Sequence, residues 1–389
     1  MPRSFLPPDH APDRPSRTLA TASDARLLAR RRQPRLIFDF IDGAAGTEAA
    51  LWRNTADLRA LRLLPRVLAD VATIDCATQV FGRPMGAPYG IAPMGMCDLA
   101  WPGTDLAFAA EARRRGIPVC VSTASSTSLE RMHEASGGNA WFQLYVTGSV
   151  EVANGFVDRA AAAGYEVLML TVDVPRLGKR PRDLRNGFQT PFRIRPRQFL
   201  DFALHPRWSL GTLRAGRPRM ANYDADPNAK GYDRNAPRTG ATWEFLDRLR
   251  ARWKGRLVVK GVLSPADAVR IRDAGADAVY VSNHGARQLD SAPSSISMLP
   301  AIRAAVGPDY PLLMDGGVRS GEDIVKALAA GADFALLGRP FMYAMGADGA
   351  RGLARFMDGL AEEIAIALAQ VGLRRVADIT PEILVRDPD

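Results

Sequence analysis

The chain holds four histidines, His10, His133, His205 and His284, and only His284 stands where a base would be useful. It lies in Ser282-Asn283-His284-Gly285-Ala286-Arg287-Gln288, at the end of the apolar run 277–282. An imidazole takes up a proton near neutral pH, and a carboxylate behind it fixes the tautomer and stabilises the imidazolium. Asp173, at the end of another apolar run, is the candidate for that carboxylate. Further polar groups end other such runs: Gln143 and Tyr145, Thr171, Lys260, Asp315-Gly316-Gly317-Val318-Arg319, and Gly338-Arg339. The glycines and arginines of the last two suit a phosphate, because backbone N–H groups can approach it, a helix start follows, and a guanidinium adds a bidentate partner. Lys260 has three readings: a Schiff-base amine, a cation beside a cofactor, or an ion-pair partner. There is no HExxH, Walker loop, GxSxG or metal-spaced Cys/His cluster, so no metal is expected, and hydrolase and nucleotidase chemistries lack their motifs.

Polar groups at the ends of buried runs are costly unless paired or used, so a scaffold must gather them. Eight apolar, β-rich runs occur at about 89–94, 117–122, 140–146, 167–173, 257–260, 277–282, 311–315 and 334–338. Helix-like runs separate them. Ser264-Pro265-Ala266-Asp267 starts one and Gly275 stops it; Ser320 to Asp323 starts another and Gly331 stops it; Thr104 to Gly116 follows the same capping logic. This alternation predicts an α/β fold, a (β/α)8 TIM barrel, whose catalytic groups gather at the C-terminal strand ends. An open doubly wound sheet is the alternative, disfavoured by the count and by the lack of GxGxxG after the first strand.

Residues 1–22 read as a flexible arm and 23–389 as one domain, with the barrel over about 89–370. A helix near 23–33 and an apolar-acidic stretch at 36–53 precede it. About 80 residues, roughly 174–256, separate the fourth and fifth runs, with an inserted loop at about 186–245. A loop that long in a compact domain is usually functional or disordered. Its first half is basic and aromatic: Phe192, Arg193, Arg195, Arg197, Phe199, Phe202, Arg207, Trp208, Arg214, Arg217 and Arg219.

The net charge is +9. That suits nucleic acid, an anionic membrane face or acidic small molecules; no recognition motif supports nucleic acid. Cys76, Cys97 and Cys120 read as reduced thiols of a reducing, cytoplasmic compartment. No apolar run approaches a membrane span.

SNHGARQLD (282–290), TVDVPRLGKRPRDLRNGF, WFQLYV, VVKGV and DGGVRSGEDIVKALAAGA together resemble the FMN-dependent 2-hydroxy acid oxidases and dehydrogenases, a family that includes glycolate oxidase, L-lactate dehydrogenase and (S)-mandelate dehydrogenase. The likeness runs from about 24 to 380. It implies FMN as cofactor and oxidation of an (S)-2-hydroxy acid. His284 would remove the proton with Asp173 behind it, Arg287 and Arg180 would bind the carboxylate, and Tyr145 would hydrogen-bond the substrate oxygen. Lys260 would stabilise the reduced flavin. Pro93, Gly95, Ser122, Gln143, Thr171 and Ser282 would lie by the flavin, and Asp315, Gly316, Gly317, Arg319, Gly338 and Arg339 would hold the ribityl chain and phosphate. A homo-oligomer, often a tetramer, is also implied.

Three positions depart from the common pattern. Phe40 replaces the tyrosine that helps bind the carboxylate. Ala124 replaces a pocket-lining aromatic residue, leaving room for a bulky or aromatic substituent, and STASSTSLE is nearest to mandelate-type members. Gly95 stands where many oxidases carry Ala; in the resemblance, Gly goes with mandelate dehydrogenase, which passes electrons to a membrane acceptor, and also with lactate monooxygenase. The expectation is therefore a dehydrogenase feeding a quinone or other carrier. An oxygen-using oxidase is one alternative and a non-redox phosphate-binding lyase or isomerase another. The segment 192–219 has two readings of equal weight: a peripheral contact with the inner face of the membrane, or a solvated lid or oligomer contact.

Overall fold

A computed structural model describes residues 19–188, 194–216, 219–225 and 238–386. Most of the expected arm, together with Phe192, Arg193 and Arg217, lies outside the described residues. The eight runs form one closed barrel of parallel strands in chain order. They are β1 (Tyr89–Met94), β2 (Val119–Ser122), β3 (Ala140–Leu144), β4 (Val167–Thr171), β5 (Arg256–Val262), β6 (Ala278–Val281), β7 (Leu312–Met314) and β8 (Phe334–Leu337). β8 closes on β1 through Ala335–Tyr89 and Leu336–Gly90 pairs.

Side chains of a strand alternate between its two faces. Cys120, Trp141, Met169, Val258, Tyr280 and Leu313 form a cluster inside the barrel. The intervening residues, such as Val121, Phe142, Leu168, Val259 and Val279, pack outward against the helices. Two steps along each inward row lie Ser122, Gln143, Thr171, Lys260, Ser282 and Asp315. Parity therefore carries the polar strand-end groups to the top of the barrel interior. The opposite end is plugged by the hairpin Thr78–Val80/Arg83–Met85, whose Val80 and Met85 join the interior cluster.

Helices follow the strands as their caps dictate. Ser264 and Ser320 accept hydrogen bonds from the N–H groups of Asp267 and Asp323, and Gly275 and Gly331 stop their helices at positive φ. The helix Thr104–Arg115 differs: Gly103, at φ 79°, is its cap and Thr104 its first residue. Before the barrel, Ala22–Arg32 starts with a reciprocal Thr21–Asp24 capping box and packs along the final helix, Arg339–Gln370. The 36–53 stretch is divided at Gly43 into Arg35–Asp42 and the start of Ala49–Ala60.

The connection from β4 to β5, expected to be a long loop, contains several helices among its described residues. It carries Pro181–Asn186, Pro196–Ala203, Pro206–Ala215, Ala221–Asp224 and Trp243–Arg252. Three of these start with proline, whose fixed φ suits the first helical position and whose missing N–H costs nothing there. Trp208 does not face solvent: it is buried and donates its indole N–H to the Leu99 carbonyl at 2.9 Å.

Phe334 fills the barrel interior beside Trp141, with ring centroids 6.0 Å apart. Phe334→Ala leaves a cavity there and should lower stability by about 3–5 kcal/mol in denaturant unfolding. A loss below about 1 kcal/mol, the scale of a tolerated swap, would contradict this packing.

Candidate active site

His284 is placed by an unusual turn after β6. His284, Gly285 and Ala286 all have φ near +60°, a conformation that costs a non-glycine residue about 1–3 kcal/mol. Paired amides hold it: Asn54 Nδ2 donates to Asn283 Oδ1 at 3.0 Å and Asn283 Nδ2 to Asn54 Oδ1 at 2.7 Å. Asn283 Oδ1 also accepts from Ala286 N, and Ser282 Oγ from His284 N. The imidazole then reaches Asp173, with Nδ1 at 2.9 and 3.1 Å from the two carboxylate oxygens. A carboxylate accepts, so Nδ1 carries the proton and Nε2 keeps its lone pair. Nε2 lies 3.2 Å from the Tyr145 hydroxyl.

Burial opposes the charge on Asp173, but His284 and Lys260 more than offset it and hold its carboxyl below the usual range. Gly261 makes room for it; at φ +101°, a Cβ there would sit 2.5 Å from Asp173 Cγ.

Lys260 is 3% exposed. Its Nζ donates to Ser282 Oγ at 2.7 Å and lies 3.1 Å from Asp315 Oδ2. Ser282 Oγ and Tyr280 Oη both donate to Asp315, at 2.6 and 2.9 Å. An ammonium held by a carboxylate is an ion-pair cation and not the neutral amine a Schiff base requires. A second chain runs from Ser122 Oγ to Gln143 Oε1 and from Gln143 Nε2 to Thr171 Oγ1, each 2.9 Å.

These groups surround one cavity of about 1300 Å³, part of it open to solvent. Pro93, Gly95, Ser122, Ala124, Tyr145, Arg180, Lys260, His284 and Arg287 line it, with Gly316, Gly317, Arg319, Gly338 and Arg339 at the β7–β8 end. Asp315 lines it too. Gln143, Thr171, Asp173 and Ser282 lie behind the wall. Phe40 stacks on Phe188, with centroids 4.2 Å apart and planes 4° from parallel. The Arg287 guanidinium lies 5.2 Å from the Phe40 ring, and its Nη1 donates to the carbonyls of Phe40 and Gly43 at 2.9 Å. Arg339 donates to the Ile41, Gly43 and Gly285 carbonyls. The two arginines thus fasten the C-terminal end of Arg35–Asp42, where helix carbonyls lack partners of their own.

The β7–β8 end has the composition of an anion cradle. Burial depresses the Arg319 guanidinium below its usual value, and Arg339 pushes it the same way. An anion between them relieves that repulsion. Gly316 and Gly317 have φ of 102° and 91°, which bring their backbone to the cavity wall. On the substrate side, burial likewise depresses Arg180, partly offset by Asp183 at 3.5 Å. These residues fit FMN: Gly316, Gly317, Arg319 and Arg339 would hold its phosphate, and Lys260 would supply a cation for its ring.

Sequence reasoning did not single out Asn54, Tyr280, Met220 or Arg238. Tyr280 sits on the inward row of β6, where strand parity alone would have found it. The cavity-lining Met220 and Arg238 come from the insertion, where no periodicity marks them. Arg238 lies 5.0 Å from the Tyr145 ring.

Fold and site together place a carboxylate-paired histidine, a buried lysine and two arginines around one cavity at the C-terminal end of a parallel barrel. The family model for FMN-dependent dehydrogenase matches residues 29–386. L-lactate dehydrogenase of Allorhizobium ampelinum is 38% identical over 378 residues, covering 95% of this chain and 99% of that protein. (S)-Mandelate dehydrogenase of Pseudomonas putida is 38% identical over 374 residues, covering 95% and 94%. The solved structure of the monotopic membrane protein (S)-mandelate dehydrogenase superposes with a TM-score of 0.89 at 37% identity, covering 94% of this chain and 99% of the other. The chain belongs to the FMN-dependent dehydrogenase family, and FMN is its cofactor.

Gly317→Ala would place a Cβ 2.3 Å from the Asn54 carbonyl, at a φ that side chains rarely adopt. The variant should purify with sharply reduced flavin absorbance per protein. Full flavin content would contradict the cradle.

Proposed function

We propose that this enzyme oxidises an (S)-2-hydroxy acid with a bulky or aromatic, mandelate-like side chain to the 2-oxo acid and passes the electrons to a carrier such as a quinone. The observation that carries this reading is the Asp173–His284–Tyr145 arrangement, at 2.9 and 3.2 Å, over the cavity that Lys260 enters. Oxidising an alcohol beside a carboxylate requires a base, an anion clamp and an electron sink. His284 Nε2 takes the proton, and Asp173 stabilises the resulting imidazolium. Arg287 and Arg180 hold the carboxylate, and Tyr145 orients the substrate oxygen. Bound FMN supplies the electron sink, with Lys260 as the fixed cation beside it. The relatives named above act on lactate and on mandelate. Ala124 leaves its side of the cavity open to the larger substituent, while Phe40, anchored on Phe188, offers a ring where a hydroxyl would otherwise meet the carboxylate.

An oxygen-using oxidase shares these residues, and the peroxide yield separates it from the carrier-linked enzyme. Gly95 supports the dehydrogenase reading by resemblance. It also has a packing reason, because a Cβ there would lie 3.0 Å from Ala124 Cβ. The lyase or isomerase reading loses ground with Lys260 in an ion pair.

A peripheral membrane contact through 192–219 is part of the proposal. Phe199 is 68% exposed, and Leu200, Leu204, Leu210 and Leu213 are exposed around it. Exposed Arg195, Arg197, Arg207 and Arg214 stand among them, the composition of an interfacial amphipathic surface. No helix of the described residues is long and apolar enough to cross a membrane.

Anaerobic (S)-mandelate should bleach the flavin faster than L-lactate does; bleaching by lactate alone would refute the bulky-substrate assignment. His284→Ala should keep FMN yet slow bleaching by about 10²–10⁴-fold, the usual contribution of a general base. An unchanged rate would remove His284 from that role.

A further inference from the structure

A second cavity, of about 1120 Å³, lies away from the flavin site, between the N-terminal helices and the insertion. Arg26, Arg30 and Arg35 reach it from one side, Arg182 and Arg185 from the helix Pro181–Asn186, and Asp201 and His205 from the insertion helices. The carboxylates nearby are already engaged. Arg26 grips Asp42 through two bonds of 2.6 and 2.8 Å. Arg182 bonds Asp42 at 2.7 Å and also pairs with Glu48 and Asp39. Arg35 pairs with Asp39 at 3.4 Å, and its backbone N–H donates to Asp201. Arg30 and Arg185 have no ion-pair partner among the described residues. Two uncommitted guanidiniums from separate helices thus face one cavity, an arrangement suited to a phosphate, which accepts bidentate bonds from each.

The cavity adjoins the exposed apolar surface. Asp201 and His205 line it, while Leu200, one position back from Asp201 and so about 100° round the helix, and Leu204, the C-cap of that helix, are exposed together with Phe199. An acyl chain beside those leucines would bring its headgroup to the cavity mouth.

We propose that this cavity is a binding site for the phosphodiester headgroup of an anionic phospholipid, held by Arg30 and Arg185 while Phe199, Leu200 and Leu204 enter the bilayer. It rests on the membrane-contact reading above. It adds a defined lipid class and a site separate from catalysis, so that docking depends on lipid identity as well as on apolar area.

The test is co-sedimentation of the FMN-loaded enzyme with vesicles of phosphatidylcholine alone or with one quarter phosphatidylglycerol. Three forms are compared: wild type, Arg30→Gln/Arg185→Gln, and the charge-matched Arg207→Gln/Arg214→Gln, which removes exposed arginines outside the cavity. Wild type should prefer the anionic vesicles, and the cavity variant should bind them at least about tenfold more weakly than the charge-matched variant, beyond the loss expected from generic surface charge. Unchanged flavin bleaching by substrate reports that the cavity variant is folded. Equal losses in the two variants would overturn the headgroup site and leave the membrane reading standing. Failure of wild type to bind either vesicle would overturn both. If millimolar inorganic phosphate raises the melting temperature of wild type but not of the cavity variant, while the cavity substitutions leave vesicle binding unchanged, the ligand is a free phosphate and the lipid assignment is overturned.

Discussion

The hydrogen bond from His284 Nδ1 to Asp173 governs the site. It fixes which imidazole nitrogen keeps a lone pair and aims it at the cavity. The surrounding structure meets the demands of that bond. Asp173 must be buried and charged, so Lys260 and His284 offset its desolvation. Its side chain needs space against β5, so position 261 has no Cβ. The histidine must leave β6 in a left-handed turn, so the Asn283–Asn54 amide pair ties that turn to the helix Ala49–Ala60. The helix and the barrel are thus coupled directly at the turn that carries His284.

Charge at the top of the barrel follows from the same geometry. Parallel strands end together, and their inward rows bring Lys260, Ser282 and Asp315 within hydrogen-bond distance. Lys260 stands between two carboxylates: it is ion-paired with Asp315 and acts on Asp173 electrostatically. It links the cofactor side of the cavity to the base side. Arg319 and Arg339 lie close together at the β7–β8 end. Cations that repel each other away from bulk water are costly, and a phosphate between them would offset that cost. The arginines and glycines of this end are those that the proposed cofactor site would use for its phosphate.

Much of this was legible in the sequence because buried parallel strands read as continuous apolar runs. All eight appear within about two residues of their ends, β1 matching at both, and polar residues at or just past several of those ends gather around the cavity. Ser264 and Ser320 announced their helices, whereas Thr104 did not cap its own because Gly103 takes the left-handed position before it. The insertion was less legible. Its prolines mark helix starts, yet its arginines and aromatics lack a period that tells inward from outward, so Trp208 looked like part of an exposed surface and is buried. Asn54 was invisible for a different reason: its role exists only through contact with Asn283, 229 residues away.

The most direct test is the rate of anaerobic flavin reduction by (S)-mandelate in wild type and Asp173→Asn, followed by stopped-flow absorbance. The substitution puts an amide where the carboxylate stood, so the side chain neither stabilises the imidazolium nor enforces the Nδ1–H tautomer of His284. FMN content should be retained, and the limiting rate should fall by about a hundredfold or more. An unchanged rate, with FMN bound, would contradict the central role of the Asp173–His284 bond.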